Sequence, residues 1–262
     1  MTMAMQRVRG EARVEIGTRG LIDLRQQGSA KAMLPRVDGP VPEVVFLNTA
    51  GGITGGDRLA YGLRLRAGAK ATAATQTAER AYRAAEGAGR VEVRLEVGAG
   101  GRLDWLPQET LLFQGASLSR ATEVQLAPDA AFLGVESVVL GRAAHGEVVT
   151  HLRFDDRRTI RRGGALLHQE HVALTPDALA HPANLGGARA FATLVFAAPG
   201  CADALDPVRD ALGPDGAASA WDGRLVARVV HRDAQALRRA LIRVIVCLRR
   251  TPMPRVWQDD SP

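Results

Sequence analysis

The chain has 262 residues, enough for one large domain or two small ones with a substantial core. Its 34 basic and 28 acidic side chains give a net charge of +6, a balance often found in nucleic-acid-binding proteins. Aromatic residues, however, make up only 4% of the chain, too few to supply stacking platforms for bases. All basic residues except Lys31 and Lys70 are arginines, which favour bidentate pairing with carboxylates. We therefore expect an acidic protein partner and no nucleic acid.

The cysteines and the apolar segments bear on the cellular compartment. Cys201 and Cys247 are far apart in the chain and fit neither a zinc site nor a disulfide framework. Cys247 lies in an apolar helical run and is predicted to be a buried thiol. Residues 1–10 lack an apolar core of signal-peptide length, and no stretch approaches the ~18 uninterrupted apolar residues that a membrane span requires. The sequence predicts a soluble cytoplasmic protein without a membrane partner.

Short alternating segments follow a predicted loose tail at residues 1–10. The alternation is clearest over residues 91–97, where apolar and charged side chains take turns as in a half-buried strand. Similar segments, each bounded by glycine, proline or aspartate, predict further strands. The predicted strands cover residues 12–16, 21–25, 44–47, 59–65, 91–97, 103–106, 124–126, 132–140, 148–154 and 165–174.

This pattern predicts an all-β fold in one of two arrangements. Turn signals at Gly68, Gly98 and Asp129 recur about every thirty residues, which is compatible with stacked β-coils. No repeated sequence motif accompanies the period, so a β-sandwich fits the alternation equally well.

The periodicity becomes helical near the end of the chain. Residues 204–212 predict a short helix, and Asp233 is a predicted N-cap for an amphipathic helix of about four turns. We expect a helical element over about residues 203–250 and, because no long linker is present, one domain over residues 1–262. The basic side of the longer helix, a candidate contact for an acidic partner, consists of Arg238, Arg239, Arg243, Arg249 and Arg250.

The most distinctive stretch is a glycine-rich loop at residues 47–57 with the sequence LNTAGGITGGD. It is not a P-loop, because no lysine follows the last glycine, and Ile53 occupies the middle glycine position of a dinucleotide loop. Such a loop suits close backbone packing or a cation, unless it is only a bent turn between two strands. The residues of interest in it are Asn48, Thr49, Gly51, Gly52, Thr54, Gly55, Gly56 and Asp57.

Five carboxylates lie in apolar strands or tight loops, where burial of an unpaired charge is costly. For any one of them, an ion pair with an arginine is the favoured explanation. Several in one fold are better explained together, as a polar path through an apolar interior. These carboxylates are Asp57, Glu79, Glu109, Glu136 and Glu170.

The segment HQEH at residues 168–171 suggests a metal site. On a strand, however, His168 and His171 point to opposite faces and cannot chelate one ion. His168 and Glu170 share a face and could hold a divalent ion transiently, so we predict no stable metal site here. His145 is expected to be a turn residue.

An enzymatic role is the minor alternative. The sequence contains no nucleophile arrangement such as G-x-S-x-G. Paired carboxylates could cleave a glycoside, but Trp105, Trp221 and Trp257 are scattered rather than grouped for sugar stacking. We predict a non-enzyme and keep a carbohydrate-active β-helix enzyme as an alternative.

Seven short motifs occur in order along most of the chain. They are AKAMLPR (30–36), PEVVFLNTAGGITGGD (42–57), QTAERAYR (76–83), WLPQET (105–110), VLGR (139–142), TIRR (159–162) and PRVW (254–257). Together they resemble the UreD family of urease accessory proteins, also called UreH. The resemblance implies a β-helix-like stack of short strands with a small helical element near the C-terminus.

The resemblance also implies a function. UreD-like proteins are scaffolds or metallochaperones that bind apo-urease and UreF and recruit the GTPase UreG through UreF. They hold no cofactor tightly, and Ni²⁺ is thought to pass in transit along an acid-lined internal path towards the urease active site. The family's path positions fall on Asp57, Glu79, Glu136 and Glu170. Supporting positions are Arg80, Gln108, Glu109, Arg142 and His168, together with the glycine loop.

Incomplete coordination along such a path would attract a divalent cation without trapping it. The alternative within the same family role is a purely structural adaptor, in which the protein orients its partners and nickel travels outside it.

Overall fold

The computed structural model describes residues 7–37, 39–249 and 251–258. Strands dominate these residues, and the predicted β-helix-like stack with a helical element near the C-terminus is confirmed. The strands are β1 (Arg9–Gly17), β2 (Gly20–Gly28), β3 (Ala30–Met33), β4 (Glu43–Asn48), β5 (Arg58–Leu65), β6 (Lys70–Thr75), β7 (Glu79–Ala81), β8 (Gly89–Val97), β9 (Arg102–Leu106), β10 (Thr110–Leu112), β11 (Ser117–Leu126), β12 (Ala131–Leu140), β13 (Arg153–Arg162), β14 (Ala165–Leu174), β15 (Ala190–Ala197), β16 (Gly216–Trp221) and β17 (Arg224–His231). The helices are α1 (Pro176–Ala180), α2 (Pro182–Leu185), α3 (Leu205–Leu212) and α4 (Ala234–Leu248).

Parallel strands stack in register to form the coils. In the outer sheet β1, β5, β8, β11 and β13 run parallel, and in the middle sheet β4, β6, β9 and β12 do so. The chain alternates between the two sheets as it advances. Arg58, Arg90, Ser119 and Asp155 therefore occupy equivalent positions on successive coils. The recurring turn signals in the sequence correspond to these coils.

Two apolar cores lie on either side of the middle sheet. The first fills the space between the sheets and includes Leu63, Leu95 and Phe154. The second packs the other face of the middle sheet against α3 and α4 and includes Leu241 and Trp257. Strict alternation in strands such as β8 places every second side chain in the first core and leaves the charged ones in solvent.

Helix α4 forms as its sequence predicts. The Asp233 carboxylate accepts hydrogen bonds from the backbone N–H groups of Gln235 and Ala236, which caps the N-terminus. Residues at intervals of three and four, including Leu237 and Leu241, are buried against the middle sheet. Cys247 lies on the opposite face and is exposed, so the prediction of a buried thiol was wrong there; Cys201 is buried.

Three further predictions differ from the structure. The strand expected at residues 148–154 begins only at Arg153, because the preceding residues form a connection held by the Gln114 side chain, which accepts from the Thr150 N–H. The region 203–250 contains, besides its helices, the hairpin β16–β17, which joins the middle sheet beside β15. Residues 1–6 of the expected tail lie outside the described residues, but Arg9 and Gly10 already belong to β1.

None of the described helices combines the length and the apolar character that crossing a bilayer requires.

Replacing Asp233 by alanine should lower the free energy of unfolding by about 1 kcal/mol, because two N–H groups at the start of α4 lose their acceptor. Asp233→Asn keeps an acceptor and should stay close to wild type. Asp210→Ala, on the exposed side of α3, is the control. Urea denaturation of the three variants measures the effect, and equal losses at positions 210 and 233 would contradict it.

Candidate functional site between the sheets

The glycine loop connects β4 to β5 and is packed tightly against the next coil. Gly52 has φ 155°, and a Cβ there would lie 2.7 Å from the Arg80 carbonyl oxygen. A Cβ on Gly55 would lie 2.1 Å from the Glu86 carbonyl oxygen. These two contacts explain why the loop needs glycine. Positive φ angles are also found at Gly51 and Gly56.

Asp57 closes this loop and is only 3% exposed. Its Oδ1 accepts the Val8 N–H at 2.8 Å, and its Oδ2 accepts the Thr54 N–H at 2.8 Å. The hydroxyl of Thr54 donates to the Arg83 carbonyl at 2.8 Å, and that of Thr49 to the Ser29 carbonyl at 3.1 Å. One carboxylate oxygen of Asp57 therefore ties the loop to the residue before β1, and the other closes the loop on itself.

Glu79, at the start of β7, is the most weakly paired of the four path positions. Asn48 Nδ2 donates to its carboxylate at 3.3 and 3.4 Å and to the Gly52 carbonyl at 3.0 Å. Burial raises the pKa of Glu79 to about 7, against the opposing effect of the Asn48 hydrogen bond. Beside it lies a cavity of about 40 Å³, lined also by Tyr61, which can hold a water molecule. The adjoining Arg80 is exposed.

Glu136, on β12, belongs to a network of buried charges. Its carboxylate accepts from Trp105 Nε1 at 3.1 Å and lies 2.7 Å from Arg120 Nη1. Arg120 also holds Asp156 through two hydrogen bonds of 2.8 Å. Burial raises the pKa of Glu136, and Arg120 opposes this rise. Burial acts likewise on Asp156, but there the charge and hydrogen bonds of Arg120 prevail and lower the pKa below its ordinary value.

Glu170, on β14, extends the same network. It lies 3.0 Å from Arg158 and 3.0 Å from Arg228, and it accepts from the Thr193 hydroxyl at 3.1 Å. Arg158 also lies 3.4 Å from Asp156. Three carboxylates are thus matched by three guanidinium groups, so the network carries no net charge.

His168 lies on the same strand and is 6% exposed. Its Nε2 has no hydrogen-bond partner among the described residues and borders a cavity of about 20 Å³ that Glu136, Trp105 and Thr122 also line. That volume suffices for one water molecule. Burial lowers the pKa of His168, which keeps its imidazole neutral at pH 7. His171 points the other way and bonds to Asp155 at 2.9 Å, which confirms the prediction that the two histidines cannot share an ion.

Aromatic rings separate the two cavities. The ring of Phe46 lies 5.3 Å from that of Tyr61, which borders the Glu79 cavity, and 6.0 Å from that of Trp105, which borders the Glu136 cavity. The rings of Tyr61, Phe46 and Trp105 thus lie in series between the two cavities.

Other predicted site residues lie away from both cavities. Arg238, on α4, contacts Gln108 at 2.8 Å and Glu109 at 3.1 Å, which joins the β9–β10 connection to the helix. Arg142 is paired with Glu147 at 2.8 Å and lies over the Phe113 ring. The exposed His145 lies in a short helical turn at Ala143–His145, as expected of a turn residue.

Most of the described basic residues on the predicted face of α4 contact the protein itself. Arg243 bonds to the Ala211 carbonyl and to Asp215, and Arg249 lies buried beside Asp104. Arg239 is exposed, and Arg250 lies outside the described residues. The role of this face in partner binding stays a prediction.

Within the described residues, no three side chains among histidine, cysteine, aspartate and glutamate are grouped closely enough to hold a metal ion. This geometry alone does not identify a function, and comparison with known proteins identifies the family. A family profile described as "UreD urease accessory protein" matches residues 6–258. The chain belongs to the UreD family.

Relatives named "Urease accessory protein UreD" support this assignment. The protein from Dinoroseobacter shibae is 55% identical over 97% of this chain and 93% of its own length. The protein from Paracoccus denitrificans is 52% identical over 97% of this chain and 93% of its own length. The protein from Rhizobium leguminosarum bv. viciae is 46% identical over 90% of this chain and 88% of its own length. The names are those of accessory proteins rather than enzymes, which agrees with a non-enzymatic role for a UreD-family chain.

Four of the six members of the charge network, Arg120, Asp156, Arg158 and Arg228, were not predicted from the sequence. Asp156 and Arg158 lie on the same buried face of β13 as Phe154 and Ile160, two residues apart along the strand, a period-2 pattern that could have revealed them. Arg120 likewise shares the buried face of β11 with Leu118 and Thr122.

Glu79→Gln should raise the unfolding midpoint at pH 8 and have no effect near pH 4. Because the pKa of Glu79 is about 7 in the folded protein and its ordinary value is 4.5, the wild type loses stability as pH rises between these values, whereas the glutamine variant does not. Thermal unfolding across this pH range measures the difference. Glu123→Gln, at an exposed position on β11, is the control, and a pH-independent difference for Glu79→Gln would contradict the assignment.

Arg120→Met should destabilise the fold by about 3–5 kcal/mol, because Glu136 and Asp156 would remain buried without their shared partner. Adding Glu136→Gln and Asp156→Asn to this variant should restore much of the loss. Chemical denaturation of the single and triple variants tests the network. A triple variant less stable than the single one would show that the charges are not the cause.

Proposed function

We propose that this UreD-family protein is a cytoplasmic scaffold and metallochaperone that binds apo-urease and UreF, with UreG recruited through UreF, and conducts Ni²⁺ towards the urease active site. The family membership supports the urease accessory role. The observation that carries the conduit is that two of the family's path positions each border a water-sized cavity, Glu136 a buried one and Glu79 one whose lining reaches the surface. Nickel is cargo here, and no resident cofactor is proposed.

The two carboxylates would contribute differently to such a path. Glu79 accepts from the Asn48 amide and the Arg80 backbone and has a pKa of about 7, so it can exchange a proton for a cation. Glu136 is held by Arg120 through one contact, whereas Arg120 holds Asp156 through two. Glu136 can therefore leave Arg120 and meet a cation while Arg120 remains paired. The imidazole of His168 supplies a neutral nitrogen donor beside the same cavity.

A structural adaptor is the second candidate, and the balanced charges favour it. A network without net charge does not attract a dication, and the aromatic rings separate the cavities. In this case the protein would orient UreF and UreG against urease, and nickel would not enter it.

Glu79→Gln and Glu136→Gln should each slow nickel filling of urease by about tenfold, the change expected if the barrier to transit rises by about 1.4 kcal/mol. The measurement is nickel per active site over time in urease matured with UreF, UreG and each variant. Glu123→Gln is the matched control, because it removes an exposed charge of the same type. Asp57→Asn is unsuitable, because Asp57 fixes the loop backbone.

Copurification with UreF and urease separates the two candidates. If the Glu79→Gln and Glu136→Gln variants form normal complexes but urease fills with nickel slowly, the conduit is supported. If they form normal complexes and urease fills at the wild-type rate, the conduit is wrong and the structural adaptor is supported. If urease fills equally well without this chain, the accessory role itself is wrong.

A further inference from the structure

Free positive charge is concentrated on the outer sheet rather than on α4. Arg9, Arg58 and Arg90 lie side by side at equivalent positions of β1, β5 and β8. All three side chains are exposed, and none forms an ion pair with a described carboxylate. Adjacent strands lie about 4.8 Å apart, so three like charges stand within about 10 Å. We call these three residues the arginine row.

Like charges directly opposite each other destabilise a sheet. The nearest acidic residues in the next row do not relieve this repulsion, since Glu11 is paired with Arg13, and Glu92 with Arg94 at 3.0 Å. Repulsion among the three guanidinium groups therefore destabilises the sheet, and an acidic ligand would relieve this repulsion.

The arginine row borders a groove of about 510 Å³. Its lining includes Gly10 and Gly28, which have no side chain, and Ala60, which has only a methyl group, so the guanidinium groups stay accessible. Gln27 adds a side-chain amide to the lining. A Cβ on Gly28 would lie 1.9 Å from the Arg9 carbonyl oxygen, so the groove wall depends on glycine there.

The row is held in place by the glycine loop. The Arg58 N–H donates to the Val8 carbonyl at 2.9 Å, and the Arg90 N–H donates to the Asp57 carbonyl at 2.8 Å. Asp57 in turn accepts from the Val8 N–H. The backbone beneath all three arginines is thus fixed, which limits the ordering needed on binding.

We propose that the arginine row is a docking site for a carboxylate-rich segment of a protein partner. Guanidinium groups pair well with carboxylates, and three in line match acidic side chains spaced along a protein surface. The groove residues include no aromatic side chain, so nothing there would stack on a base. Glu11 and Glu92 also line the groove and would oppose a compact polyphosphate. None of the four path positions lines the groove.

The test uses the full-length chain and a fluorescein-labelled hexaglutamate peptide, with binding followed by fluorescence anisotropy at low and high NaCl. The triple variant Arg9→Gln, Arg58→Gln, Arg90→Gln should weaken binding about tenfold at low salt, with the difference shrinking at high salt. The control is Arg19→Gln, Arg25→Gln, Arg153→Gln, which changes the net charge equally at exposed positions without ion pairs to described residues. Unlabelled pyrophosphate and a single-stranded oligonucleotide serve as competitors.

A loss confined to the arginine-row variant, with the peptide displaced poorly by both competitors, supports the proposal. Equal losses in the two triple variants would reduce the effect to net charge and overturn it. Tighter binding of pyrophosphate or oligonucleotide, dependent on the same arginines, would overturn the assignment to a protein partner. Nickel transfer does not enter any of these readouts, so their outcome is separate from that of the proposed conduit.

Discussion

The interaction of Arg120 with two carboxylates governs what the space between the sheets can contain. Desolvating Glu136 and Asp156 is costly, and one planar guanidinium compensates both because it presents several donors in a fixed fork. The sharing is unequal, however. Asp156 receives two hydrogen bonds and keeps a low pKa, whereas Glu136 receives one from Arg120 and has a raised pKa. The fold thus contains one firmly ionised carboxylate and one that is easier to protonate or to transfer to another cation.

The four family path positions consequently differ in kind. Asp57 bonds to backbone and organises the loop, Glu170 is held by two arginines, and Glu79 accepts hydrogen bonds from the Asn48 amide. Equal treatment of these residues in mutagenesis would mix structural effects with effects on transport. The glycine loop, which Asp57 closes, is also connected to Glu79, since Asn48 bonds to both Gly52 and Glu79.

The sequence was most informative where one rule acted alone. Alternation predicted β8, and the cap at Asp233 predicted the start of α4, because both depend on nearby residues. The prediction of a strand over residues 148–154 failed because the conformation of that segment is fixed by a hydrogen bond to Gln114, which is far away in the chain. The charge network was hidden for a related reason: β13 carries charges on both of its faces, so hydropathy alone does not show that Asp156 faces inward. Likewise, the role of Asp57 requires Val8, 49 residues earlier.

The position of α4 in the chain has a consequence for synthesis. The face of the middle sheet that it covers includes Leu133 and Val135 of β12, which leave the ribosome about a hundred residues before the helix does. Until α3 and α4 have both been made, part of this apolar surface has no cover from its own chain. A nascent or truncated form would therefore be prone to aggregation even when its coils are complete, and the last fifth of the chain determines whether the protein remains dispersed.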